Sequence, residues 1–175
     1  MLGTELHGKQ LGIVGAGRIG RAVASKAPAF GMKAVFAPRS PDTKDPAHVS
    51  LDQLLVSSDV ISIHTPQTPE TVHLIDKRAL ARMKRTALLV NTARGPIIDE
   101  EALVWALDER LIAGAALDVY EKEPQVHPGL LRRENVLLSP HLGSATRETR
   151  TAMAELAVRN VLAVLAGDEP LTAVT

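Results

Sequence analysis

The chain has no cysteine, few aromatic side chains and no net charge, and each of these absences excludes a class of function. Without cysteine there is no disulfide bond, no thiolate metal site and no cysteine nucleophile. Aromatic residues make up 2% of the 175 residues, too few for platforms that stack nucleic-acid bases. Twenty basic residues balance twenty acidic ones without a long block of either sign, so charge favours neither nucleic acid nor an anionic membrane. We therefore expect a small-molecule ligand and no metal site.

Long apolar runs are absent as well. No stretch approaches the roughly 18 to 20 apolar residues that span a bilayer, and residues 1–5 lack the basic and apolar pattern of a signal peptide. These features predict a cytoplasmic protein that contacts no membrane. With 45% apolar residues the chain can bury one good core, and residues 1–175 are most simply a single domain.

Short apolar runs alternate with segments of helical periodicity, as in βαβ units. Each run is short enough for a parallel strand buried on both faces. The predicted strands are residues 10–14, 33–37, 59–64, 86–91, 112–117 and 135–138. The predicted helices are residues 19–30, 51–56, 77–83, 100–110 and 147–165. Ser50, Asp76 and Asp99 each precede a helix and are predicted to cap it.

A glycine-rich turn, Gly15-Ala16-Gly17-Arg18-Ile19-Gly20, joins the first predicted strand to the first helix. There Gly15 permits a tight turn, Gly17 lets backbone approach a pyrophosphate, and Gly20 lets the helix pack on the strand. Amide groups at the start of the helix would face the phosphates. The motif predicts a dinucleotide site on a Rossmann fold, a three-layer α/β fold with a doubly wound parallel sheet of about six strands. The alternative is a plain strand–turn–helix corner.

The residues after the second strand bear on which nicotinamide cofactor binds. In an NAD site an acidic residue about 20 positions beyond the glycine motif bonds the adenosine ribose. Here Arg39 and Ser40 stand at that place. A guanidinium and a hydroxyl can bind a 2′-phosphate, and we expect no carboxylate at this place to repel it. We therefore expect NADP as the preferred cofactor, and NAD if Arg39 is solvated and Asp42 takes the acidic role.

Residues 91–95, 117–124 and 139–144 follow the ends of three predicted strands and contain the groups that carbonyl reduction by hydride requires. Such a reaction needs a cation to polarise the carbonyl, an acid to protonate the developing alkoxide, and a group that keeps the acid protonated. Arg94, His141 and Glu123 are of these three types. Arg94 can bind a carboxylate with two hydrogen bonds, and Glu123, if paired with His141, would raise the pKa of the imidazole. Taken singly, each could instead be a structural residue.

Together these segments closely resemble the D-isomer-specific 2-hydroxyacid dehydrogenase family over nearly the whole chain. The matching motifs are residues 15–20, 64–66 with 68–71, 91–95, 117–124 and 140–144. The stretch Gly143-Ser144-Ala145-Thr146, with Thr149-Arg150, is most similar to the branch of glyoxylate, hydroxypyruvate and 2-ketogluconate reductases. That branch often uses NADP, in agreement with the missing acidic residue.

The resemblance implies a reaction and a role for each matching residue. Hydride would pass between nicotinamide and a small 2-oxo or 2-hydroxy acid of the glyoxylate or hydroxypyruvate type. Arg94 would bind and polarise the 2-oxo acid, His141 would donate the proton, and Glu123 would be the partner of His141. The implied cofactor contacts are Arg18 and Ile19 at the pyrophosphate, then Thr65, Pro66, Thr92, Ala93, Arg94, Asp118 and His141, with Gly143 and Ser144 near the nicotinamide.

The chain departs from the family pattern in one further respect. Family members carry a separate substrate-binding domain, built mainly from residues ahead of the glycine motif, whereas only a few residues precede the first strand here. The chain therefore resembles the dinucleotide-binding domain alone, which implies that it can be inactive by itself. Family members usually dimerise through this domain, so a homodimer is possible. One alternative is a nicotinamide-binding interaction or sensor module without turnover, because C-terminal-binding-protein corepressors resemble the same family.

Overall fold

A computed structural model describes residues 3–40, 45 and 47–173, so Asp42 lies outside the described residues. The chain divides into two compact units, Met1–His141 and Leu142–Thr175. The first unit contains the whole sheet and all of the residues predicted to carry the chemistry. The second contains the last helix.

The first unit is built around a six-stranded parallel sheet. The strands are β1 (Gln10–Val14), β2 (Lys33–Ala37), β3 (Val60–Ile63), β4 (Leu88–Asn91), β5 (Gly114–Leu117) and β6 (Val136–Leu138). Their order across the sheet is β2-β1-β3-β4-β5-β6. After β2 the chain returns past β1 and adds β3 on the opposite side, so the winding direction changes between β1 and β3. This confirms the predicted doubly wound sheet of six strands.

The helices begin at the residues that the capping signals predict. The side chains of Ser50, Asp76 and Asp99 each accept a hydrogen bond from an amide in the first turn of the helix that follows. The helices of the first unit are α1 (Arg18–Ala24), α2 (Leu51–Ser57), α3 (Lys77–Arg82) and α4 (Glu100–Asp108). In the second unit α5 (Arg147–Leu165) has its predicted bounds, and Thr146 caps it.

The single helix predicted over residues 19–30 is wrong. Helix α1 ends at Ala24, and a separate 3₁₀ turn, Ala27–Phe30, follows it. Pro28 explains the break, because its ring would clash with the carbonyl of Ala24, four residues earlier, and it has no N–H to continue the helix. The turn closes at Gly31, which has a φ of +68°.

Helices lie on both faces of the sheet, which gives the predicted three layers. One face packs against α2, α3 and α4 and includes fully buried residues such as Leu54, Leu80 and Leu103. The other face packs Leu11 and Ile13 against α1 and the Ala27–Phe30 turn. This second face is covered around β1, while Leu88 of β4 and Leu137 of β6 are exposed. Because all six strands are parallel, their carboxyl ends meet at one edge of the sheet, and open α/β sheets bind ligands at that edge.

Candidate active site

The three glycines of the β1–α1 turn have different surroundings. Gly15 has a φ of +101°, and a Cβ there would lie 2.7 Å from the carbonyl oxygen of His64. At Gly20 a Cβ would lie 2.2 Å from the carbonyl oxygen of Gly15, so only glycine lets α1 approach the turn this closely. At Gly17 a Cβ would meet no heavy atom within 4 Å. The turn is therefore closed at Gly15 and Gly20 and open at Gly17, which gives a phosphate group access to the backbone.

A cavity of about 840 Å³, the first cavity, opens at Gly17. It lies past the carboxyl ends of β1, β3 and β4, at the point where the winding of the sheet reverses, and it extends as far as Arg94. Eight of the predicted cofactor-binding residues lie in its wall. The lining residues are Gly17, Arg18, Ile19, Ala22, Val23, Lys26, His64, Thr65, Pro66, Gln67, Thr92, Ala93 and Arg94.

His64, which follows β3, is one of the titratable groups in this wall. Its Nε2 atom lies 2.8 Å from the hydroxyl oxygen of Ser62. Burial lowers the pKa of His64 below its ordinary value. The imidazole is therefore neutral at neutral pH.

A second cavity, of about 300 Å³, lies past the ends of β1 and β2 and shares Thr65 and Pro66 with the first. Arg39, the residue predicted to bind a 2′-phosphate, lines it. Glu70 lines it too. A hydrogen bond from Thr68 and the positive charge of Arg39 both contribute to lowering the pKa of Glu70, the Thr68 bond more strongly.

The presence of Glu70 corrects the expectation that no carboxylate adjoins Arg39. The carboxylate comes from the segment after β3 instead of the segment after β2, and the sheet order brings the two segments to one cavity. Ser40, the other predicted contact of a 2′-phosphate, follows Arg39 and is exposed.

The loop that carries Arg94 is fixed by the buried amide of Asn91. The Asn91 Oδ1 atom accepts a hydrogen bond from the Ala93 amide at 3.0 Å, and its Nδ2 atom donates to the Arg94 carbonyl at 2.9 Å. The next residue, Gly95, contacts the loop after β5 so closely that a Cβ would lie 1.9 Å from the carbonyl carbon of Tyr120. Gly95 therefore determines how the Arg94 loop packs on its neighbour. Sequence reasoning gave Gly95 no role.

The three residues predicted to carry the chemistry lie at adjacent strand ends. Glu123 Oε2 is 3.0 Å from His141 Nδ1, and Glu123 Oε1 accepts a hydrogen bond from the Tyr120 amide at 3.1 Å. The His141 hydrogen bond, with a smaller contribution from the charge of Arg94, lowers the pKa of Glu123. His141 has a φ of +55°, a strained backbone conformation of the kind found at functional sites. A third cavity, of about 350 Å³, is lined by Glu123 and His141.

Two further contacts tie the end of β6 to the end of β5. The Ser139 hydroxyl donates to Asp118 Oδ1 at 2.5 Å, and the Tyr120 hydroxyl donates to the Ser139 carbonyl at 2.8 Å. Burial is the largest cause that raises the pKa of Tyr120, which keeps this hydroxyl protonated. The predicted cofactor contact Asp118 is buried at this junction.

The remaining predicted contacts, Gly143 and Ser144, belong to the second unit. There the Ser144 carbonyl accepts a hydrogen bond from Arg150 Nε at 3.3 Å. Within the described ranges, no three or more His, Cys, Asp or Glu side chains cluster in a way that could hold a metal ion. None of the helices in these ranges is long and apolar enough to cross a membrane.

Residues 1–143 match the model of the family described as D-isomer specific 2-hydroxyacid dehydrogenase, NAD binding domain. The chain belongs to this family. A glyoxylate reductase from Thermofilum pendens is 51% identical over 178 residues, which cover 97% of this chain and 52% of the relative. The chain thus spans about half the length of the curated relatives it matches. The TT0316 protein from Thermus thermophilus has a TM-score of 0.93 at 50% identity, over 99% of this chain and 56% of that one.

Related structures hold either nicotinamide dinucleotide. An NADPH-dependent glyoxylate/hydroxypyruvate reductase from Sinorhizobium meliloti, in complex with NADP and malonate, is 37% identical with a TM-score of 0.89. The match covers 96% of this chain and 53% of that one. A D-lactate dehydrogenase from Lactobacillus jensenii with NAD⁺ is 30% identical with a TM-score of 0.88, over 99% of this chain and 58% of that one. The domain is thus an NAD-binding domain of the 2-hydroxyacid dehydrogenases, and its relatives do not fix which dinucleotide it prefers.

Proposed function

We propose that the chain binds a nicotinamide dinucleotide and carries the groups that reduce a small 2-oxo acid of the glyoxylate or hydroxypyruvate type. The observation that carries the proposal is the first cavity, which runs from the open backbone at Gly17 to the guanidinium-bearing loop at Arg94. A nicotinamide dinucleotide needs a close approach to backbone at its central pyrophosphate and a reacting partner at its nicotinamide end. Three of the relatives named above carry the names of reductases or dehydrogenases, which favours an enzyme over an interaction module.

In this proposal the chain's own residues bind the substrate and move one proton. The bound dihydronicotinamide supplies a hydride to the carbonyl carbon. Arg94 binds the substrate carboxylate and polarises the neighbouring carbonyl. His141, through its Nε2 atom, gives a proton to the developing alkoxide, while Glu123 on Nδ1 orients the ring and stabilises the imidazolium form.

Further contacts are proposed along the cofactor. Arg18 and Ile19 would lie at the pyrophosphate, and Thr65 and Pro66 between the first and second cavities. The cofactor contact of Asp118, and those of Gly143 and Ser144 near the nicotinamide, stay predictions. The homodimer implied by the resemblance stays a prediction.

Gly17→Val tests the dinucleotide site. The φ of −74° at Gly17 suits valine, and nothing lies within 4 Å of its Cβ, so we expect an unchanged melting temperature. The added side chain would occupy the position proposed for the pyrophosphate, and we expect at least about tenfold weaker binding of both NADH and NADPH. Nucleotide affinity is measured by fluorescence titration, with Gly3→Val as the control outside the site. Unchanged affinity in folded Gly17→Val would mean that the turn is only a structural corner.

For the choice of cofactor we propose NADP, read by Arg39 with Ser40. Arg39→Asp removes the cation and adds a carboxylate, as NAD sites have at this place. We expect NADPH to bind at least about tenfold more weakly, while NADH binds as well or better. Side-by-side titrations with the two reduced nucleotides measure this, and Arg78→Asp, on the exposed face of α3, controls for the change of charge. If Arg39→Asp weakens both nucleotides equally, Arg39 does not discriminate between them.

A further inference from the structure

The loop after β5, residues 118–124, is joined to the start of α4 by two reciprocal hydrogen bonds. The Glu100 side chain accepts through Oε1 from the Glu121 amide at 3.0 Å. The Glu121 side chain accepts through Oε2 from the Glu100 amide at 3.2 Å. Each carboxylate thus binds the backbone of the other residue, so neither end of the pair can move without breaking a charge-assisted hydrogen bond.

The second oxygen of the Glu121 carboxylate joins the loop to a third segment. Glu121 Oε1 lies 2.5 Å from His73 Nε2. His73 has a φ of +51°, so its backbone is held in the left-handed region although it is not glycine. The residues shortly before it, among them Thr65, Pro66 and Thr71, line the proposed cofactor cavities. Glu121 therefore connects the cofactor-lining segment with the loop that carries Glu123.

The Glu100 end of these bonds is sheltered from water, whereas the contact between Glu121 and His73 is exposed. Glu100 is 5% exposed although it is the first residue of a helix. Burial is the main cause that raises the pKa of Glu100 above its ordinary value. A buried carboxyl group costs free energy unless it is hydrogen-bonded, and the Glu121 amide supplies such a bond. Glu101, the next residue, has a side chain that is 85% exposed and pairs with His127 at 3.0 Å.

We propose that Glu121, held by Glu100 and His73, is a positioning residue for the Glu123–His141 pair. Only Lys122 separates Glu121 from Glu123, and the Glu123 carboxylate binds the amide of Tyr120, the residue before Glu121. Glu121 thus binds the loop to other segments of the chain, and Glu123 forms a hydrogen bond within the loop. The inference rests on the proposed function, in which Glu123 and His141 act together on the substrate. It adds residues that no sequence motif singled out for the chemistry.

The test compares Glu100→Ala, Glu121→Ala and Glu121→Gln with Glu101→Gln, all in the nucleotide-free chain. The carboxyl carbon of Glu123 is titrated by NMR, and hydrogen exchange of the Tyr120 amide is measured on the same samples. Without the contacts that Glu121 makes with Glu100 and His73, the contact between Glu123 and His141 loosens, so the pKa of Glu123 rises towards its ordinary value. The Tyr120 amide exchanges about tenfold faster, the change expected for loss of one charge-assisted hydrogen bond. Glu101→Gln leaves both readouts unchanged, because the Glu101 carboxylate pairs with His127, which lies outside the loop.

Two variants separate positioning from general stability. Glu100→Gln keeps an oxygen that accepts from the Glu121 amide and should retain both wild-type readouts, unlike Glu100→Ala. Glu121→Gln has one accepting oxygen for two donors and keeps the volume of the side chain. Glu121→Gln therefore tests the positioning role of Glu121 if an alanine variant does not fold. A folded Glu121→Gln chain with an unaltered Glu123 titration and Tyr120 exchange overturns the inference, and so does an equal response in Glu101→Gln.

NADH titration of the same variants separates this inference from the proposed function. Neither Glu100 nor Glu121 lines the first cavity, so the variants should bind NADH within about twofold of the unaltered chain. If the unaltered chain binds no nucleotide, the proposed function fails, whereas the NMR result still decides the positioning of Glu123.

Discussion

Replacing Arg94 by Gln is expected to remove reductase activity while leaving the affinity for nicotinamide nucleotide nearly intact. A permanently charged guanidinium is lost at the place proposed for the substrate carboxylate and carbonyl, and a neutral amide cannot stabilise the developing alkoxide to the same extent. Removing one such group typically lowers turnover by about a hundredfold to a thousandfold. We expect the upper end of this range, because Arg94 would serve both the carboxylate and the carbonyl.

The measurement is the reduction of glyoxylate and hydroxypyruvate, followed by the loss of reduced nicotinamide. Since the chain spans about half the length of its curated relatives, the assay uses the chain joined to the remaining half of the Thermofilum pendens glyoxylate reductase. The same chimera without the substitution is the reference, and Arg78→Gln is the control for loss of one arginine. A parallel loss of NADH binding and activity would assign Arg94 a structural role instead of a catalytic one.

Gly95→Ala is expected to destabilise the domain strongly. A Cβ at Gly95 would lie 1.9 Å from both the carbonyl carbon and the carbonyl oxygen of Tyr120, and 2.5 Å from the amide nitrogen of Glu121. These atoms belong to backbone, which cannot move aside as a flexible side chain can. Overpacking usually costs about 1 to 3 kcal/mol, occasionally more. We expect about 3 kcal/mol, which lowers the melting temperature by roughly 6 to 12 °C in a domain of this size.

Denaturant and thermal unfolding measure this loss. Gly3→Ala is the matched control, because nothing lies within 4 Å of a Cβ at that position. An unfolding free energy of Gly95→Ala within about 0.5 kcal/mol of the unaltered chain, the usual range for a neutral surface change, would show that the two loops separate at little cost. In that case the close packing of Gly95 on Tyr120 would not determine where Arg94 and Glu123 lie.

Most of the fold follows from signals that are local in the sequence. Apolar runs predicted all six strands, and three capping residues predicted the starts of α2, α3 and α4 correctly. The error over residues 19–30 has a local cause as well, since Pro28 cannot continue a helix past Ala24. The helical periodicity continues through the break and obscures it.

The site was less completely predicted than the fold. Arg94, Glu123 and His141 could be proposed because each follows the end of a strand and has a chemical type that reduction needs. The contacts around them join segments that are distant in the sequence, and they depend on the sheet order. The Glu100–Glu121 bonds join residues 21 apart. Glu70 lies in the same cavity as Arg39 because β2 and β3 flank β1. No periodicity or spacing in a single sequence encodes such pairs.

The order of the strands separates the second cavity from the residues proposed for the chemistry. Arg39 and Glu70, which line that cavity, follow β2 and β3, whereas Arg94, Glu123 and His141 follow β4, β5 and β6. Substitutions at separate, non-contacting sites usually add in their effects. Under the proposed function, substitutions at Arg39 and Glu70 can therefore alter the dinucleotide preference without changing the residues that carry out the reaction. A domain of this kind can in this way change between NAD and NADP while it keeps the same reacting residues.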